Sequence, residues 1–145
     1  MSTDEWSPQG PVAELSDTEC WALLDGTSLG RLGVSVDSQP EIFPVDYHAD
    51  GSTVLFRTAS GTKLHELLKN DSVVFEVDSR VGDAAWSVTV KGRAIVLTTP
   101  DDIDAADRRP LPEWHPTKPF VYVTIVPSTI SGRRLNRHVT AEIAR

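Results

Sequence analysis

The sequence has one cysteine, Cys20, and one methionine, Met1. A single thiol excludes an internal disulfide framework and any multi-cysteine zinc or iron–sulfur site. No apolar run approaches the roughly 20 residues that span a bilayer. The polar, acidic start MSTDEWSPQG lacks the basic head and apolar middle of a signal peptide. A cytoplasmic protein that avoids membranes is the expectation. There is no G-x-G-x-x-G and no P-loop, which argues against a dinucleotide-binding Rossmann domain. The four histidines, His48, His65, His115 and His138, show no metal-ligand spacing, so no metal is expected. Ser28, Ser35 and Ser87 lack the strained strand-to-helix turn that exposes a nucleophilic serine, which leaves nucleophilic hydrolysis without support. Basic residues are absent from residues 1–25, where Asp4, Glu5, Glu14, Asp17, Glu19 and Asp25 stand alone.

What is present describes one domain. The 145 residues are 39% hydrophobic and 24% charged, with a net charge of -7. An acidic chain is a poor general binder of nucleic acid, where phosphate neutralisation dominates affinity. A small anion needs only two or three well-placed cations, and local clusters exist: Arg57 with Lys63, and Arg133, Arg134 and Arg137. Residues 1–13, with Pro8, Gly10 and Pro11, read as a flexible N-terminal arm. Ser16 and Glu19 form a capping-box pair that opens a helix ending at Gly26. Strands are predicted at about 28–36, 41–48, 53–57, 73–77, 85–97 and 120–126, the last stopped by Pro127. Helices are predicted from Thr62 to about Leu68 and from Pro100 to about Arg108. Pro44 inside the second strand has no N–H for a ladder, which implies an edge or a bulge there. Six short strands with hairpin links and a few short helices describe a mainly β, antiparallel barrel.

Residues 54–64, VLFRTASGTKL, are the most informative stretch. A strand ends at Arg57, a loop of small residues follows, and a helix begins at Thr62. Exposed loop N–H groups, the hydroxyls of Thr58, Ser60 and Thr62, a guanidinium and the Lys63 ammonium are the components of a phosphate site. The same residues also make an ordinary strand–turn–helix junction with solvated charges. Cys20, beside Trp21 in a helix, reads as a small buried hydrophobe.

Pro44-Val45-Asp46-Tyr47, a glycine-containing hairpin, then Leu55-Phe56-Arg57-Thr58 and Lys63-Leu64 resemble the FMN-binding split-barrel family, the pyridoxamine 5′-phosphate oxidase-like proteins. Leu29-Gly30-Arg31-Leu32-Gly33 after the capped helix fits as well. So do Trp86-Ser87-Val88 leading to Gly92-Arg93-Ala94, and Val126-Pro127 leading to Ile130-Ser131-Gly132-Arg133-Arg134. The resemblance implies a six-stranded split β-barrel of Greek-key type over residues 14–135, with a basic C-terminal tail at 136–145. It implies an FMN phosphate held by Arg57 and Lys63, with loop contacts from Thr58 and Ser60. Pro44, Val45, Asp46 and Tyr47 would run along the flavin edge through their backbone groups. Trp86, Ser87 and Arg133 would come from the second subunit of a homodimer, with the flavin in the cleft between two barrels. Trp86 is more often a core or interface tryptophan than a cofactor wall, and Asp46 and Tyr47 also read as outward strand residues. Authentic members of the named activity finish with a tail that holds the vitamin phosphate. Arg137-His138 is only a faint echo of it, so vitamin B6 oxidation is not implied. The implied activity is an FMN-dependent oxidoreductase acting on a small molecule. The alternatives are a reductase using the deazaflavin F420, and a non-catalytic flavin-binding sensor or electron carrier. No perturbed carboxylate or histidine stands out, so no general acid or base is nominated.

Overall fold

The computed structural model describes residues 4–5, 12–112 and 119–136. Two short strands, β1 (Asp4–Glu5) and β2 (Val12–Leu15), precede helix α1 (Asp17–Asp25). Then come β3 (Leu29–Val36), β4 (Gln39–Ala49), β5 (Val54–Ala59), α2 (Lys63–Leu67), β6 (Ser72–Val81), β7 (Ala84–Val96), α3 (Pro100–Asp107) and β8 (Phe120–Asn136). The strands β8-β5-β4-β3-β6-β7 are hydrogen-bonded in that order, and β7 pairs back onto β8. Six antiparallel strands therefore close a ring, as the sequence predicts. The sheet continues beyond the ring through β2, which pairs with β8, and β1, which pairs with β2.

Three local readings change. Val12 and Ala13, assigned to the arm, open β2 and pair with Leu135 and Arg134. Val12 is buried, which supplies the apolar reason for that pairing. Strand β8 does not stop at Pro127. The register shifts between Lys91, opposite Thr129, and Gly92, opposite Pro127, so Ser128 is an extra residue on β8. At such a bulge the missing proline N–H leaves no ladder bond unmade. Pro44 lies opposite Arg31 of β3, in an interior strand rather than at an edge. The β4–β5 register covers Tyr47–Ala49 against Val54–Phe56. Pro44 thus falls where β4 has left β5, so it has no donor to offer a neighbour on that side.

Alternation sets the core. Leu32 and Val34 of β3, Val45, Tyr47 and Ala49 of β4, and Val88 and Val90 of β7 all point inward. They surround Phe56 and Phe75, and the Tyr47 and Phe75 rings meet edge to face at 4.9 Å. Helix α1 starts as read, with the Glu19 N–H donating to Ser16 Oγ at 3.2 Å and the Ser16 N–H to Glu19 Oε1 at 3.1 Å. It buries Cys20 and Leu24 against one end of the barrel. A smaller apolar cluster of Leu55, Ala106 and Tyr122, with Ile103 and Leu111, fastens α3 to the outside of β5 and β8. Among the described residues no helix is long and apolar enough to cross a membrane.

Candidate functional site

The divergence of β4 from β5 opens a cavity of about 310 Å³. Phe43, Pro44, Val45 and Asp46 line one wall, and Arg57, Thr58, Thr62, Lys63 and Leu64 line the other. The two cations singled out in the sequence therefore share one cavity with three of the four β4 residues. Arg57 Nη2 donates to the Pro112 carbonyl at 2.6 Å, and its guanidinium lies over the Phe120 ring, 5.6 Å from the centroid. With the Tyr122 side chain as a second partner, the guanidinium still keeps N–H donors over for an anion. Lys63 Nζ is ion-paired with Glu41 Oε1. The lysine side chain is 67% exposed, and a pair in such a setting is worth about 0–1 kcal/mol, so it is easily exchanged for another partner. Thr58, 5% exposed, faces Thr62 with the two hydroxyl oxygens 3.2 Å apart. Guanidinium, ammonium and a buried hydroxyl at one end, with Phe43, Val45 and Leu64 beside them, suit a ligand with a phosphate and an apolar ring.

The loop itself is a different matter. The Ser60 N–H donates to Pro119 O at 3.0 Å, the Gly61 N–H to His65 Nδ1 at 3.2 Å and the Thr62 N–H to Ala59 O at 3.4 Å. The Thr62 hydroxyl donates to Ala59 O and accepts the His65 N–H, as the cap of α2. The loop N–H groups expected to meet an anion are thus already engaged, and Ser60 is exposed and outside the cavity wall. The outward reading of Tyr47 is corrected as well. Its side chain is 1% exposed, and its O–H donates to Leu24 O at 2.7 Å and also meets Thr27 Oγ1. The Tyr47 N–H donates to Ser28 O. The residue is core, because it shares the inward face with Val45. The cationic groups that line this cavity are the side chains of Arg57 and Lys63.

Trp86, Ser87 and Arg133 line a second cavity, of about 440 Å³, with Glu76, Asp78 and Arg80 on β6 and Val12 and Leu135 beside them. The two cavities have no lining residue in common. Ser87 is opposite Asp78 on one side and Arg133 on the other, so three strands place these groups side by side. Trp86 also packs against the barrel core while lining the cavity. The core reading therefore holds for part of its side chain.

A feature that the sequence reading missed lies at the edge of this second cavity, where its Glu76 and Asp78 meet Arg31 of β3. Arg31 Nη1 bonds both Glu76 Oε1, at 2.7 Å, and Asp78 Oδ2, at 2.6 Å. One cation serves two carboxylates. Burial, and then Asp78 beside it, push the Glu76 carboxyl up to about 7. The hydrogen bond from Glu76 holds Asp78 below the usual carboxylate range. Glu76-x-Asp78 in an alternating strand is the signal that was available, since two acids two residues apart share one face. Among the described residues no three His, Cys, Asp or Glu side chains converge as metal ligands would. His115, in its loop beside Trp114, and the Arg137-His138 echo lie outside the described residues.

Known proteins resemble this chain closely. The family model described as pyridoxamine 5′-phosphate oxidase matches residues 16–134. An FAD-binding protein of Mycobacterium smegmatis is 41% identical, with a TM-score of 0.76 over 85% of this chain and 98% of its own. A putative pyridoxamine 5′-phosphate oxidase of Corynebacterium glutamicum is 38% identical, with a TM-score of 0.79 over 87% of this chain and 99% of its own. An uncharacterised Mycobacterium tuberculosis protein is 43% identical over 83 residues, which cover 57% of this chain and 76% of that protein.

Proposed function

Because the chain belongs to the pyridoxamine 5′-phosphate oxidase family, we propose that it is a flavin-dependent oxidoreductase that acts on a small molecule. The observation that carries this reading is the cavity where Arg57 and Lys63 meet Thr58 and the diverged stretch of β4. Arg57 and Lys63 bind the phosphate next to the ribityl chain, a group common to FMN and FAD. The FAD-binding protein of M. smegmatis, 41% identical, supports a flavin as the ligand. Bound there, a flavin supplies the hydride and electron chemistry, and the chain supplies binding, orientation and tuning. Phe43 and Val45 offer apolar contact beside the ring, and Thr58 adds a hydroxyl near the phosphate. The purified protein is expected to be yellow, and mass spectrometry of the released ligand is expected to give FMN or FAD. Bleaching of the bound flavin by NAD(P)H, with turnover on a small acceptor, is the sign of an enzyme. A colourless protein that takes up F420 in preference to both flavins overturns the cofactor.

We also propose that a second copy of the chain completes the site. The separation of Trp86, Ser87 and Arg133 from the Arg57–Lys63 cavity supports this, since a cleft between two barrels brings one group to face the other. A C2 homodimer burying well above ~2,000 Å² in total is the expected assembly. Sedimentation at micromolar concentration checks it, and a monomer there removes Trp86 and Arg133 from the cofactor site.

A further inference from the structure

Arg57 is surrounded by groups that the family resemblance does not bring in. Directly across the β5–β8 ladder it faces Tyr122, which is 7% exposed. The Tyr122 O–H donates to Asp107 Oδ1 at 2.6 Å. Asp107 is the last residue of α3, where the helix dipole disfavours an acid. The phenol supplies that carboxylate with a hydrogen-bond donor. Past α3 the chain folds back, with the Arg109 N–H donating to Ala106 O and the Leu111 N–H to Arg109 O. That turn delivers the Pro112 carbonyl to Arg57 Nη2. Phe120 packs edge-on against Tyr122, with ring centroids 5.5 Å apart, and presents its face to the guanidinium. A carbonyl, an aromatic face and an anchored phenol thus fix three sides of Arg57. The fourth faces the cavity.

We propose that Tyr122 is a positioning residue for Arg57: anchored by Asp107, it holds the guanidinium aimed at the cofactor phosphate, so that α3 sets how strongly the phosphate is bound. This rests on the reading of the cavity as a flavin-phosphate site. The physical basis is preorganisation. A free arginine loses much rotamer freedom when it grips an anion, and one already held loses less. The Tyr122 phenol is kept protonated: burial, and then Asp107, push it up to about 12, with Arg57 acting in the opposite sense. It therefore stays a donor to Asp107 across the working pH range, and the arrangement does not loosen on titration.

Tyr122→Phe keeps the ring stack and removes the hydroxyl, with its bond to Asp107 and its hydrogen-bond contact with Arg57. In the apo protein, the Nε–H of Arg57 followed by 15N NMR is expected to exchange with solvent several-fold faster in Tyr122→Phe and in Asp107→Ala than in wild type. The affinity ratio of FMN to riboflavin is expected to fall about three- to tenfold in Tyr122→Phe, the scale of one immobilised side chain, with riboflavin binding unchanged. Placed in an Arg57→Ala background, Tyr122→Phe is expected to change the ratio no further, because it acts through Arg57. Unchanged exchange at Arg57 in both variants overturns the proposal, and so does a Tyr122→Phe effect that persists without Arg57. A wild-type protein that fails to bind flavin overturns the cofactor reading instead, and the exchange rates still decide the positioning.

Discussion

Replacing both Arg57 and Lys63 with alanine leaves a folded protein that no longer retains its flavin. The fold loses little, since neither side chain belongs to the core and the Lys63–Glu41 pair is a surface contact. The ligand loses both of its charged partners. A charge-assisted hydrogen bond contributes about 1.5–3 kcal/mol, so each single substitution weakens phosphate binding roughly ten- to a hundredfold and the pair weakens it further. Arg57→Lys restores only part of this, because a point charge does not reproduce the planar, two-pronged geometry of a guanidinium. Isothermal titration of the apo protein with FMN measures all four cases. Wild-type affinity in the double variant places the phosphate elsewhere.

Gly92→Ala is expected to be the most damaging small change in the barrel. A Cβ at this position would stand 2.1 Å from the Val126 carbonyl oxygen and 2.9 Å from Pro127 Cα. Both are backbone atoms of β8 at the bulge, so no side chain can swing away and the strand itself must move. Overpacking against a fixed neighbour costs about 3 kcal/mol, which lowers the melting temperature of a domain this size by about 10 °C. Gly26→Ala is the control. Its added methyl meets only carbonyl oxygens at 3.7 Å, and its φ of −84° suits any residue. Little change is expected there, and equal losses in the two variants would contradict the steric account of the bulge.

Local periodicity made most of the barrel legible. Val45, Tyr47 and Ala49, or Val88 and Val90, alternate with polar neighbours, and burying one face of each strand leaves a single register. Pro44 was legible only in part: its missing donor marks a place where pairing is limited, and there β4 parts from β5 inside the sheet rather than at an edge. Pairing that depends on distant partners was not legible. Strand β2 is four residues long and pairs along its whole length with β8, more than a hundred residues away. Strand β8 passes Pro127 because β7 accommodates an extra residue opposite Lys91 and Gly92. The site divides in the same way. Arg57 and Lys63 flank a turn of five residues, so their meeting was local and readable. The engagement of the Ser60 N–H by Pro119 and the sharing of Arg31 by Glu76 and Asp78 join segments dozens of residues apart. Tyr47 shows the limit of a motif, since the alternation that buries Val45 also turns the phenol inward.

The central claim is that side-chain cations hold a cofactor phosphate, and riboflavin tests it most directly. It carries the same ring as FMN without the phosphate. The wild-type protein is expected to bind FMN at least about a hundredfold more tightly, the sum of two charge-assisted contacts at the low end of their range. The Arg57→Ala, Lys63→Ala double variant is expected to bind riboflavin as well as wild type does, whereas a protein merely weakened in its fold would lose both ligands together. Equal wild-type affinity for FMN and riboflavin would contradict the account.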